Sequence, residues 1–326
     1  MTFSSGFSVI SRSEPTQLQV ILRRGGIAES IHRVYVVVSD GQGRVLMSAG
    51  DTGFKTFIRS ALKPFQALPF LSSGAANQMD VGDRGIAISC ASHAGTNYHA
   101  REVFKLLWKA ELDPSQLQCP VPVYGNSPLQ HNCSGKHAAF LATSHKMSWP
   151  TYNYLQSNHP VQVEVVRQVA ELLGLSADRF VVVRDNCGAP TLRLRLVQMA
   201  LLYANLGASQ HAELGQISRA MLAYPELVAG AGRFDTELMR LSHGQVLSKG
   251  GSEGIQCLSR IGEGLGVAIK AEDGSRRAKQ AAALYVLRKM AWLTPSSLQK
   301  LEEQVLVLTT GVSLTVSGAL QSHKNA

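Results

Sequence analysis

Apolar and polar residues alternate with a period of two near the start of the chain. Gln17 to Arg23, His32 to Asp40 and Arg44 to Ala49 are short, β-branched runs, and the pattern predicts three strands. Gly41-Gln42-Gly43 separates the last two and suits a hairpin turn. Helical character is expected from Arg59 to about Ser73. Gly85 to Ser89, a short apolar run, reads as a buried strand. Asn97 to Leu112 has a helical period, which Asp113-Pro114 ends.

The middle of the chain reads as helices over Ser134 to His145, Pro160 to Leu173, Thr191 to Leu206, Ser209 to Leu222 and Thr236 to Leu241. Arg179 to Arg184 is a short β segment among them. Strand patterning then returns at Gln245 to Ser248, Gly254 to Ser259 and Leu265 to Ala271, joined by glycine-rich turns. Ser275 follows Asp273-Gly274 and caps a helix to Met290. Gln304 to Ser322 carries no charge, and Val305 to Leu320 reads as core strands rather than a membrane span.

Strand-rich ends thus flank a helix-rich middle. The simplest architecture is an α+β unit spanning 1–326. N- and C-terminal strands form one antiparallel sheet lobe, at about 1–58 and 245–326. The helices form a second lobe at about 96–243, with a site in the cleft between them.

The 326 residues suffice for a large core, and 45% hydrophobic with 17% charged residues is a globular composition. The formal charge of +9 raises nucleic-acid binding. However, the basic residues form only short pairs, such as Arg23-Arg24 and Arg276-Arg277, and aromatics are 6%. No nucleic-acid or membrane partner is expected. Five cysteines, an odd and scattered set, argue against a secreted disulfide framework. The first twenty residues show no signal-peptide pattern, so a reduced, cytoplasmic setting is expected.

Several segments carry candidate chemistry. Ser60-Ala61-Leu62-Lys63 is a Ser-x-x-Lys whose spacing puts hydroxyl and amine on one helix face, and a desolvated lysine can act as a base toward serine. Lys249-Gly250-Gly251 follows a strand, and its glycines suit close approach of a substrate to the backbone. Cys90-Ala91-Ser92-His93 offers a second hydroxyl. His131-Asn132-Cys133-Ser134-Gly135-Lys136-His137 and Asp185-Asn186-Cys187-Gly188-Ala189-Pro190 each read as a polar loop with a cysteine before a helix. A helix N-terminus favours thiolate, and two thiolates with a nitrogen ligand suit zinc. Buried structural cysteines are the bland alternative.

Together these segments, with Arg59 to Pro69, Ala229-Gly230 through Arg233-Phe234-Asp235, and Lys249 to Gly254, resemble the rhizobial-type L-asparaginases. They occur in that family's order, and the His131 to His137 heptad is the most specific. The resemblance implies a fold similar to serine β-lactamases and glutaminases, and hydrolysis of L-asparagine to L-aspartate and ammonia. It implies two Ser-Lys pairs, Ser60 with Lys63 and Ser92 with Lys249. It implies zinc held by Cys133, Lys136 and Cys187. Arg59, His93, Asp185, Gly250, Gly251 and Glu253 are expected around the substrate, and a homodimer is expected. Ser60 is expected to attack with Lys63 as its base, and backbone N–H groups of Ser60 and near Gly251 to hold the oxyanion. Related serine amidases acting on glutamine or a β-lactam, and an inactive amino-acid or metal-binding homologue, are the rival readings.

Overall fold

The structure, a computed structural model, describes residues 16–208 and 210–323. Its strands are β1 (Leu18–Arg24), β2 (Ile27–Asp40), β3 (Val45–Ala49), β4 (Lys55–Phe57), β5 (Val181–Arg184), β6 (Pro190–Arg195), β7 (Val246–Gly250), β8 (Ile255–Arg260), β9 (Leu265–Ala271), β10 (Val307–Thr309), β11 (Val312–Ser317) and β12 (Gln321–Ser322). Nine of them form one antiparallel sheet in the order β10-β11-β1-β2-β9-β8-β7, with β3 also on β2 and β12 on β3. The N- and C-terminal strands therefore share one sheet, and the fold is α+β. β4, β6 and β5 make a second, three-stranded sheet.

The pleat explains how the large sheet joins two cores. Successive side chains of a strand point to opposite faces. Val34, Val36 and Val38 of β2 pack in one core with Ala278, Ala282 and Val286 of the Arg276–Lys289 helix. Tyr35 and Val37 point the other way, into a core shared with Met199, Tyr203 and Leu206 of the Leu196–Ala208 helix. Helices on both faces bury five consecutive residues, Val34 to Val38, which is why β2 lacks simple alternation there.

Three segments depart from expectation. Gly85–Ser89 is not a strand but the end of a helix, Gly82–Ser89. Its apolar run is buried against neighbouring helices, and so short a run carries no period to separate helix from strand. Thr191 to Leu206 is not one helix: β6 occupies Pro190–Arg195, with Leu192 and Leu194 buried and Arg193 and Arg195 exposed, and the helix begins at Leu196. The Arg59 to Ser73 segment breaks into three short helices, Arg59–Leu62, Lys63–Gln66 and Leu68–Ser72. The helix expected from Ser209 runs over Ala212–Ala223, and Ser209 itself lies outside the described residues. Residues 1–15 of the expected sheet lobe lie outside them too. The uncharged C-terminal stretch forms β10, β11 and β12, but Val305 ends the Pro295–Val305 helix, and these are not core strands: β10 and β12 are exposed and β11 buries only Val312 and Leu314. Among the described residues, no helix is long and apolar enough to cross a membrane.

Candidate active site

Ser60 stands in the first turn of a short 3₁₀ helix. Arg59 before it adopts φ 53°, a left-handed conformation that is costly for a residue with a side chain and is found mainly where surrounding structure enforces it. Lys63, one turn on, is 1% exposed. The i, i+3 spacing predicts contact with Ser60, but Lys63 reaches elsewhere. Its Nζ donates to Ser92 Oγ (2.9 Å), Ala91 O (2.5 Å) and Asn132 O (3.1 Å).

Ser92 lies in the loop after the Gly82–Ser89 helix, and its backbone N–H donates to Val228 O at 2.8 Å. Lys249 approaches the same hydroxyl from β7, with Nζ 2.8 Å from Ser92 Oγ and 2.9 Å from Gly250 O. One hydroxyl is therefore shared by two buried lysines, one from the Lys63–Gln66 helix and one from β7. Burial, and next the charge of Lys63, push the Lys249 ammonium down to about 7. A neutral amine is thus accessible at ordinary pH.

Ser60 and Ser92 both line a cavity of about 690 Å³ together with Asn132, Gly250, Gly251 and Glu253. Arg233, Asp235 and Arg276 complete its polar wall. The glycines of β7 and the following turn allow close approach: a Cβ on Gly251 would lie 2.9 Å from Ile58 O, just before the Arg59–Ser60 turn. The backbone N–H of Gly251 is not free for an oxyanion, since it donates to Ile255 O at 2.8 Å, and that of Gly250 donates to Asp235 Oδ2. Ser60 N–H, by contrast, precedes the first intrahelical donor of its turn, Ala61 N–H, which donates to Ile58 O.

The other expected residues lie around this core. Arg59 donates to Asp185 Oδ1 through Nη2 (2.7 Å) and Nε (3.1 Å). That bond, opposed by burial, raises the guanidinium's proton affinity. His93 is buried behind Ser92. Its Nδ1 accepts from Gly95 N–H, so Nε2 faces Ser134 Oγ as the donor at 3.0 Å, and its ring stacks on His99. Glu253, Gly250 and Gly251 sit on the cavity wall, whereas Arg59, His93 and Asp185 lie outside it.

Cys133, Lys136 and Cys187 converge next door. Lys136 Nζ is 3.3 Å from Cys187 Sγ, and all three side chains are buried. Cys133 caps the Ser134–Lys146 helix, which packs so tightly on the Gly82–Ser89 helix that a Cβ on Gly135 would lie 2.0 Å from Ile88 O. Cys187, however, precedes β6 and not a helix, because the following segment is covered on one side only and pairs as a strand. A hydrogen bond from the Cys187 thiol holds Cys133 well below the ordinary thiol range, against burial. The Lys136 ammonium is favoured by both sulfurs, although burial opposes it. His131 Nδ1 accepts from Cys133 N–H, and His137 Nδ1 pairs with Tyr154 OH. Among the described residues, no three His, Cys, Asp or Glu side chains gather as a metal-binding group. A metal here would rest on two sulfurs and one amine.

Sequence reasoning passed over Asp235, Lys279 and Gln256, all at the cavity. Asp235 was visible at the end of the Arg233-Phe234-Asp235 segment, but no spacing ties it to Lys249.

Two buried lysines thus share one hydroxyl in a polar cleft that Ser60 also lines. The family model L-asparaginase II matches residues 20–322, and the chain belongs to that family. The chain is similar to a Bacillus glutaminase crystal structure, at 10% identity and TM-score 0.43 over 80% of this chain and 91% of that one. It is also similar to a β-lactamase from Mycobacterium bovis, at 13% identity and TM-score 0.37 over 80% and 95%. With the structure of Mglu it shares 12% identity and TM-score 0.41, covering 79% of this chain. The chain matches 60% of the length of Mglu. No curated protein matches the chain.

Proposed function

We propose that the protein hydrolyses the side-chain amide of L-asparagine to L-aspartate and ammonia, with Ser60 as nucleophile. The observation that carries the reading is Ser92 Oγ held between Lys63 Nζ and Lys249 Nζ in the cavity that Ser60 also lines. Two features favour Ser60 over Ser92 as the attacking group. Its turn is forced by the left-handed Arg59, and its N–H is available to an oxyanion, whereas Ser92 N–H is committed to Val228 O.

In this reading Ser60 Oγ bonds to the amide carbon while its proton passes to the Lys63–Ser92–Lys249 chain; Lys63 Nζ, held on Ala91 O, Ser92 Oγ and Asn132 O, gives up one of these contacts to receive it. Lys63 hands a proton to Ser92, and the Ser92 proton goes to Lys249, the amine whose proton is loosely held. The tetrahedral intermediate collapses, the C–N bond breaks, and the proton returns along the chain to the departing nitrogen, which leaves as ammonia. Water then attacks the acyl-serine ester and gives its proton to the same chain, which returns it to Ser60 Oγ as the acyl C–O bond breaks and aspartate leaves. Glu253, Arg233 and Arg276 on the cavity wall offer charges of both signs to the zwitterionic part of the substrate.

Cys133, Lys136 and Cys187 would hold zinc, a reading supported by two buried sulfurs and an amine brought together with one sulfur already thiolate-like. Bound there, the ion would supply Lewis acidity and a cross-link between the loops before the Ser134–Lys146 helix and before β6. Ammonia release from L-asparagine and L-glutamine, measured side by side with zinc content on the same sample, tests the reading. No release from L-asparagine overturns it, and faster release from L-glutamine moves it to a glutaminase.

A further inference from the structure

Beside Lys249 lies a buried charge cluster that the reaction scheme does not use. Asp235 opens the Phe234–Leu241 helix and turns its carboxylate onto the strand that carries Lys249. Asp235 Oδ1 accepts from Ser248 Oγ (2.7 Å) and Gln256 Nε2 (2.8 Å), and Oδ2 accepts from Gly250 N–H (2.8 Å). Ser248 and Gly250 are the two neighbours of Lys249, and Gln256 is the β8 partner of Gly250. The carboxylate thus holds the Ser248 side chain on one side of the lysine and the Gly250 backbone on the other. The space above Gly250 is filled by the same groups: a Cβ there would lie 3.0 Å from Lys279 Nζ, 3.1 Å from Gln256 Oε1 and 3.3 Å from Asp235 Oδ2. Lys279 in turn donates to Gly251 O and Ile255 O, both at 2.7 Å, and pins the turn after Lys249.

We propose that Asp235 is a positioning residue that holds Lys249 against Ser92 and supplies the counter-charge for the buried lysines around it. Lys63, Lys249 and Lys279 are all buried, and Asp235 is the carboxylate that faces Lys249 and Lys279. A lysine without such a neighbour would shed its proton more readily still and could point away from the shared hydroxyl. Burial works against the Asp235 charge, but the charges of Lys249 and Lys279 and its hydrogen bonds keep it below the usual carboxylate range. The titratable groups around Lys249 are Lys63 from the helix after Ser60, Asp235 and Lys279 from their two helices, Cys257 from β8, Cys90 beside Ser92, and Cys133. Of these, Asp235 gives the larger attraction and Cys133 the lesser, against the repulsion from Lys63 and Lys279.

The inference rests on the Ser-Lys reading above, so its test uses a readout that needs no substrate. Protein carrying ¹³C at lysine ε-carbons and aspartate carboxyl carbons would be titrated by NMR, with Lys249→Met identifying the Lys249 signal. In the wild type, the Asp235 carboxyl carbon should inflect at the Lys249 midpoint. In Asp235→Asn, that midpoint should fall by about one pH unit or more, the scale of losing one close opposite charge. The acid limb of kcat/KM should move down with it, and kcat should drop while thermal melting stays cooperative. An Asp235 signal flat through the Lys249 titration overturns the proposal, and this holds even if the variant does not fold. An unmoved midpoint in folded Asp235→Asn overturns it too. Absence of ammonia release by wild type would remove the asparaginase reading while leaving the titration to stand or fall by itself.

Discussion

Lys249 and Lys136 are both buried lysines, 0% and 3% exposed, yet their proton affinities move in opposite directions. Lys249 meets a hydroxyl, a carbonyl and the positive charge of Lys63, so burial dominates and the ammonium loosens toward neutrality. Lys136 meets two sulfurs, and their attraction outweighs its burial. Depth therefore does not decide what a buried lysine does. In the proposed reaction the first region passes a proton. The second, in the same proposal, keeps a cation, either its own ammonium or a metal that displaces the proton. They stand close enough to act together, because Asn132 O touches Lys63 and the next residue is Cys133.

The largest expected effect separates the nucleophile from both lysine sites. Ser60→Ala should lower asparagine turnover by at least about 10⁴-fold, the scale of deleting a covalent nucleophile, with melting unchanged. Turnover near wild type would transfer the attacking role to Ser92. The next effect tests the proton-passing region. Lys63→Arg and Lys249→Arg keep positive charge but offer no neutral amine, and each should cost at least about a hundredfold in kcat. A mild loss in either would take that lysine out of the chain of transfers.

The cation-holding region is probed by Cys133→Ser and Cys187→Ser. Each should release zinc and raise KM by about tenfold, roughly 1.4 kcal/mol of binding, with a smaller change in kcat. Stoichiometric zinc in both variants would locate the ion elsewhere. The smallest effect is one of pH. The folded-state value for Lys249 lies below that of an ordinary lysine, so the neutral amine is present above about pH 7 and lost as pH falls through it. kcat/KM should therefore decline about tenfold per unit below pH 7. The midpoint should persist in Cys187→Ser if the two regions titrate separately; a shift in that variant would show that they are coupled.

Much of this was legible in the residues. Strand-rich ends around a helical middle led to one shared antiparallel sheet, and the resemblance named Ser60, Lys63, Ser92, Lys249, Cys133, Lys136 and Cys187, of which the structure puts Ser92 between Lys63 and Lys249, Ser60 on the same cavity, and Lys136 against Cys187. Gly250 and Gly251 beside Lys249 already indicated close backbone approach. These features are local, since a period, a turn dipeptide or a motif is complete within a few residues.

Partnerships across the fold were not legible. Spacing put Lys63 on Ser60, but packing turns it to Ser92, 29 positions away, because burial leaves it Ala91 O, Asn132 O and Ser92 Oγ as acceptors. The apolar Gly85–Ser89 run became helix and Pro190–Arg195 became strand, since neighbours supplied by distant segments determined which face was covered. Asp235 acquired a role only when β7 and β8 came beneath the Phe234–Leu241 helix. The amino-acid sequence by itself determined which side chains are present and which elements carry them. The tertiary structure decided which hydroxyl each lysine shares and which lysine gives up its proton, because these depend on desolvation and on charges that only the folded chain brings within a few ångströms.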